Sequence, residues 1–164
     1  DSNGRVNMPN TVEIDQWRLT TSFFTDAATV TPFERVDDAS FSKVGTGMTH
    51  SSGVFTFPTS GLYKVTTMAE IHSSSTDNIA AVEIMVSSDS GSNYDRVGYL
   101  SVGGSTGDND RTGACAGVNV VNVTDASTFR FKLVTNSLGG AAGVYAHTDY
   151  NRTAILFERI TDAQ

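Results

Sequence analysis

Between Val54 and Ile71 the chain carries a hydrophobic pattern of period two that is broken once: V-F-T-F, then P-T-S-G, then L-Y-K-V-T-T-M-A-E-I. Alternation of this kind is the signature of strands, because successive side chains on a strand point to opposite faces. Phe55 and Phe57 share one face. After the break, Tyr63, Val65, Thr67, Ala69 and Ile71 point one way, and Leu62, Lys64, Thr66, Met68 and Glu70 the other. Pro58 has no N–H to give to a ladder, and Gly61 frees the backbone, so the break reads as a turn. The segment is expected to be a hairpin onto which the other strands are layered.

No stretch of ten or more residues shows helical periodicity. Short alternating runs separated by Ser, Thr, Gly, Asn and Asp predict an all-β, two-sheet sandwich or barrel. Residues 12–20 read as a first strand, with short strands around 33–36 and 41–44. Further strands are expected at 79–87, 94–102, 111–123, 127–135 and 152–160. Polar loops fall at 73–78, 88–93 and 103–110, and a Gly-rich excursion at 136–150. Residues 1–11 carry no periodicity and read as a tether or entry segment, leaving 12–164 as a single domain. A chain of 164 residues buries roughly 70% of its extended surface, so a core needs neither disulfide nor metal. The single Cys115 excludes an internal disulfide framework.

The formal net charge of −7, from 18 acidic and 11 basic side chains, argues against a dedicated partner in nucleic acid or anionic membrane, both of which need clustered cations. No apolar run approaches the ~18 residues of a membrane span, so no membrane insertion is expected. The first residues lack a signal-peptide pattern and open on Asp1 rather than Met, which suggests a native start either removed or left out.

Strand polarity divides the chain in two. Residues 128–134, T-F-R-F-K-L-V, place Phe129, Phe131 and Leu133 on one face and Arg130 and Lys132 on the other, and 53–57 and 80–86 are similarly one-sided. Such strands have a wet face. Residues 154–157, A-I-L-F, and 113–121, G-A-C-A-G-V-N-V-V, are small or apolar on both faces. In a two-layer sandwich the core covers only one face of each strand. The other must be covered by a second chain or a ligand, and small residues at Ala114, Ala116 and Gly117 would let a neighbour approach closely. One sheet is therefore expected to face solvent and the other to form an oligomer interface; the alternative is that these strands are merely central in a larger barrel.

The succession G-V-F-T-F-P-T-S-G-L-Y-K-V (53–65), G-V-N-V-V-N-V-T-D-A-S-T-F-R-F (117–131) and T-A-I-L-F (153–157) resembles the C1q-like/tumour-necrosis-factor-like jelly roll over about residues 12–160. The resemblance implies about ten short strands in two sheets and a compact homotrimer. Its inner sheet would hold the two-sided strands and its outer sheet the one-sided ones. The trimer interface it implies comprises Met68, Glu70, Ala114, Ala116, Val118, Arg152, Ala154 and Leu156, with Lys64 or Arg152 pairing Glu70 across the interface, or Glu70 simply solvated. D-Q-W-R-L-T (15–20), F-E-R-V-D (33–37) and G-T-G-M-T-H-S-S-G-V-F-T-F-P (47–58) are similar to C1q-like domains of virion proteins from marine tailed bacteriophages. Phe33 and His50 depart from that pattern, which commonly has Trp and Glu there.

Catalysis has little support in the sequence. His50, His72 and His147 are scattered among turns and strand ends, and nothing sets one against a Ser or Cys nucleophile. Cys115, without adjacent cations, reads as a small buried hydrophobe. Asp108-Asn109-Asp110-Arg111-Thr112-Gly113 partly matches a calcium loop, but its twelfth position is Asn119 rather than Glu, so a polar turn is the better reading. Some relatives hold calcium near the trimer axis, which keeps Asp77, Asp108 and Asp110 as weak candidates; otherwise no cofactor is expected. In a phage protein made in bacteria, as the resemblance implies, the Asn122 and Asn151 sequons would be chance matches.

Tyr94, Tyr99, Tyr145 and Tyr150 flank loops of the composition found in adaptable binding surfaces. The resemblance implies a non-enzymatic structural protein of a bacteriophage virion, decorating the head or forming part of a capsid or tail fibre. Its partners would be other virion proteins and a host-surface glycan or protein. The alternative is a secreted C1q-like recognition module, and a third reading is a depolymerase tip with carboxylate chemistry.

Overall fold

The computed structural model describes residues 12–39, 41, 43–75, 78–104 and 110–164. The expected tether, 1–11, lies outside them, as do Asp77 and Asp108. The described residues form eleven strands: β1 Ile14–Leu19, β2 Phe33–Arg35, β3 Thr49–Ser51, β4 Val54–Thr56, β5 Gly61–Ser73, β6 Ile79–Ser87, β7 Asp95–Gly103, β8 Arg111–Val123, β9 Arg130–Asn136, β10 Gly143–Val144 and β11 Ala154–Thr161.

Two antiparallel sheets face one another as a jelly roll. One runs β10-β5-β11-β1-β2, with β8 added along the other edge of β5; the second runs β3-β4-β9-β6-β7. The sorting by polarity holds: the two-sided strands β8 and β11 join β1 and β5 in the six-stranded sheet, and the one-sided β4, β6 and β9 lie in the five-stranded one. The expected count of about ten strands misses only short elements, β10 having just two residues.

The expected hairpin does not form. β4 pairs with β3 and β9, and β5 pairs with β8, β11 and β10, so Pro58–Ser60 carries the chain from one sheet to the other. Phe57 and Tyr63 on either side of this crossing meet edge to face at 4.8 Å inside the core, and that contact favours an arch over a flat ribbon. The hairpin at this end is instead β3–β4, closed by Ser52 and Gly53 with φ of 50° and 81°. Positive φ at both positions is the type I′ pattern, whose twist matches the flanking strands.

The strand expected around 41–44 is not seen in its described residues, Phe41, Lys43 and Val44, either. Val44 only bridges Ile14, and the chain just beyond it is held by side chains rather than by a ladder. The buried carboxylates of Glu13 and Asp15 accept the backbone N–H groups of Gly47 (2.8 Å) and Met48 (2.7 Å). Asp15 also takes Trp17 Nε1 at 3.0 Å and two bonds from Arg35 at 2.8 and 3.0 Å. A buried carboxylate with this many donors is fully satisfied.

Between the layers lies an aromatic core. Phe157 packs on Phe55 and Phe131, each at 5.3 Å, and on Phe57 at 5.9 Å. Along the open side where β7 and β8 meet, Asn119 Nδ2 donates to Val97 O at 2.7 Å and Cys115 Sγ to Ser101 O at 3.2 Å. Gly117 points inward here. A Cβ on it would stand 3.0 Å from Leu100 Cδ2, so its small size serves the contact between sheets and not the approach of a neighbour. Cys115 is half-buried rather than fully buried.

Candidate functional site

β5 rises from Gly61 to Ser73, and the pairing registers place every other loop relative to that axis. At its upper end come together the three loops marked out by composition. Gly104 N donates to Asn78 O at 2.8 Å, Ser75 N to Asp110 Oδ1 at 2.9 Å and Ser74 Oγ to Gly139 O at 3.3 Å. β10 pairs with Ile71 and His72 and delivers residues 145–153 to the same pole.

Two of the four tyrosines belong to it. Tyr145 stacks on His72, with centroids 5.3 Å apart and planes at 14°. Arg152 Cζ lies 4.6 Å from its ring centroid, and Phe24 approaches it edge-on at 6.2 Å. Tyr150 stacks on His147 at 3.8 Å. The other two lie elsewhere. Tyr94 sits at the opposite end, beside the 88–93 turn, with Lys132 Nζ 3.8 Å from its ring centroid. Tyr99 is in the middle of β7, exposed, with Arg96 Cζ 5.4 Å from its ring centroid. Two of the four tyrosines that flank candidate loops therefore meet at this pole, and Phe24, which joins them, has no local pattern that marks it in the sequence.

The expected interface residues other than Arg152, which lies in the loop before β11, share the outward face of the six-stranded sheet. Registers set them in rows: Gln16–Leu156–Thr66–Val118, then Arg18–Ala154–Met68–Ala116, and Glu158–Lys64–Val120 on the other side. Val118 is 60% exposed, Val120 58% and Met68 38%. Ala114 and Ala116 are exposed beside them, and Leu156 is half-buried. Ala154 is buried in its own chain, between the bulkier Arg18 and Met68 in its row.

The charges on this face are already paired. Arg152 Nε donates to Glu70 Oε2 at 2.7 Å, and Arg152 Nη2 to Glu70 Oε1. Those bonds from Arg152 hold the Glu70 carboxyl below its usual range. Lys64 Nζ meets Glu158 Oε2 at 2.6 Å. Glu70 thus has its partner within one chain, neither across an interface nor in water alone. Buried Arg18 is shared by Glu34, Asp37 and Asp38 at 2.7, 2.7 and 3.1 Å.

No constellation for nucleophilic chemistry appears among the described residues. His50 is enclosed by Trp17, Phe33 and Phe55, and its Nε2 accepts Gly53 N at 2.9 Å. His72 Nδ1 lies 3.0 Å from Thr112 Oγ1, but its Nε2 is 3.7 Å from Asp110 Oδ2, too far for a hydrogen bond. No group of three or more His, Cys, Asp or Glu gathers as a metal set among the described residues; Asp110 itself is engaged with Ser75.

No family model matches the chain, and no curated protein matches it. Solved structures do. That of Eiger TNF from S. frugiperda is 11% identical, over 94% of this chain and 96% of that one, with a TM-score of 0.74. That of murine APRIL at pH 5.0 is 9% identical over 92% of this chain and 100% of that one, with a TM-score of 0.67. A second murine APRIL structure, at pH 8.5, is 8% identical over the same shares with a TM-score of 0.65. The fold is the TNF-like jelly roll.

Proposed function

We propose that the chain is a non-enzymatic module that assembles as a homotrimer through the outward face of its six-stranded sheet and is displayed on a bacteriophage virion. There it decorates the head or forms part of a capsid or tail fibre. The observation that carries this reading is the exposed apolar stripe of Met68, Val118 and Val120 beside Ala114 and Ala116. A contiguous stripe of large aliphatic side chains on a regular strand face is costly in water and is relieved by a neighbour. The pairing of Glu70 with Arg152 and Lys64 with Glu158 favours self-association, because threefold copies then meet as neutral pairs instead of like charges. The likeness of residues 15–20, 33–37 and 47–58 to virion C1q-like domains supports the setting.

Analytical ultracentrifugation at micromolar concentration tests the assembly. A trimer burying more than ~1,000 Å² per contact is expected, and a monomer removes the reading. Density for this chain in an intact particle tests the setting. A second reading, a secreted recognition module for carbohydrate or a receptor, draws on the loops gathered at the upper pole. Collagen-like repeats upstream of residue 1 would favour it.

A further inference from the structure

β3 is a thinly secured strand. It has three residues, closes one edge of the five-stranded sheet and pairs with β4 alone. Thr49 and Ser51 are exposed, so His50 is the one side chain that β3 sends toward the core. Its imidazole packs against Trp17 of β1 at 5.5 Å, Phe33 of β2 at 5.9 Å and Phe55 of β4 at 4.8 Å. Nε2 accepts the N–H of Gly53 at 2.9 Å and so pins the turn of the hairpin. At the surface the Thr49 and Thr56 hydroxyls share a further hydrogen bond. The chain before β3 is fixed: Met48 N donates to Asp15 Oδ2 at 2.7 Å, and Met48 O accepts from Arg35 Nη2 at 2.7 Å. β4 is fixed as well, by its ladder to β9. Residues 49–53 are therefore a strap with a firm root, a firm neighbour and one pin into the core.

The pin works in one protonation state. To accept from Gly53, Nε2 must be bare, so the neutral ring carries its proton on Nδ1. A second proton goes to Nε2 and sets two N–H donors face to face. The charged groups around the ring do not offset this. On β1, Asp15 is bound by Arg35 at 2.8 and 3.0 Å, by Met48 N and by Trp17 Nε1, and Glu13 holds Gly47 N. On β2, Glu34 turns to Arg18 at 2.7 Å, and Arg35 Cζ already lies 4.6 Å from the Trp17 ring centroid, where a second cation meets a like charge. Phe55 on β4 brings no charge, nor do Thr29 and Val30 beside Gly53. Burial accordingly lowers the His50 pKa. A strap swung into water takes the proton at the ordinary value near 6.5. The open form therefore gains on the closed one as pH falls below about 6.5, by up to about tenfold per pH unit, until the lowered value of the closed form is passed.

We infer that β3 is a proton-released latch: uptake of a proton by His50 frees residues 49–53 and uncovers Trp17 and the edge of β4, while the rest of the jelly roll stays closed. The latch lies in the five-stranded sheet, away from the apolar stripe, and stands whether the chain is a trimer or a monomer. Trp17 is the single tryptophan of the chain and is 9% exposed, so it reports the opening directly. Hydrogen exchange read by mass spectrometry on the intact chain, with acrylamide quenching of Trp17, tests the latch between about pH 7.5 and about pH 5. After correction for intrinsic rates, protection over residues 49–57 should fall at least about tenfold and stay constant over β5, β6 and β11, while quenching of Trp17 rises. The midpoint should coincide with the titration of the His50 ring followed by NMR. His50→Phe keeps the packing and His50→Gln keeps an acceptor for Gly53; neither titrates, and both should lose the response. Thermal unfolding at the higher pH confirms that each is folded. Constant protection over 49–57 overturns the latch, as does a loss spread over both sheets or a midpoint apart from the His50 titration. A response that survives in either folded variant belongs to another group, Asp15 or Glu13, and overturns it too.

Discussion

Arg152, in the loop entering β11, holds the carboxylate of Glu70 on β5 in a two-bond clasp at the upper end of the apolar stripe. On an exposed surface such a pair is worth ~0.2–1 kcal/mol, whereas breaking one that is buried costs ~3–5 kcal/mol. Glu70→Gln is therefore expected to leave monomer stability nearly unchanged and to weaken the trimer strongly, with the exchanged double variant Glu70→Arg/Arg152→Glu restoring it. Sedimentation across a dilution series checks this. The pH response follows from the lowered carboxyl: the contribution is present above the ordinary carboxylate range and is lost as pH falls through the depressed folded value.

Val118→Glu combined with Val120→Glu is expected to give a folded monomer. Both side chains point away from the core, so each change costs the isolated subunit only ~0.5 kcal/mol or less, while two carboxylates would have to be buried at a contact. An unchanged far-UV spectrum together with a monomer mass is the expected result.

Phe157→Ala removes the ring that meets Phe55, Phe57 and Phe131. The expected loss is ~3–5 kcal/mol in urea unfolding, larger than for any single substitution on the outward face.

His50 gives a second pH dependence. Burial lowers its pKa from the usual 6.5, and its Nε2 accepts a hydrogen bond from Gly53 N, so the ring is neutral in the fold. The unfolded chain takes up the proton first as pH falls. The stability this neutral ring contributes is complete above about 6.5 and is lost as pH drops from there through the lowered folded value. Unfolding midpoints measured between pH 4 and 8 should fall less steeply in His50→Phe.

Strand polarity made the division into two sheets legible. Arg130 and Lys132 mark a charged face, and Ala114, Ala116 and Val118 an apolar one, from side-chain chemistry alone. The partner of each strand was not legible. Val54–Thr56 and Leu62–Ile71 look like a ribbon because a four-residue break fits a tight turn and an arch equally well, and only the meeting of Phe57 with Tyr63 in the core decides between them. The pole was half legible. Tyr145 and Tyr150 sit in a loop of telling composition, but Phe24 comes from a segment more than a hundred residues away, brought in by the bridge of its neighbour Phe23 to Val144. Nor could the sequence pair Glu70 with Arg152 inside one chain, since that depends on β11 lying beside β5.

The arch at Pro58–Ser60 also bears on how the molecule forms. Because β4 and β5 enter different layers, β5 finds no partner in neighbouring sequence, unlike β3–β4 and β6–β7. Val65 waits for Asn119 and Trp17 for Ile155. Closing such distant loops before any reward arrives slows folding toward the millisecond-to-second range of non-local β topologies. During that lag the greasy ribbons of β8 and β11 are bare on both sides, so synthesis at high concentration should reward chaperone capture more than it would for a protein of equal stability built from local turns.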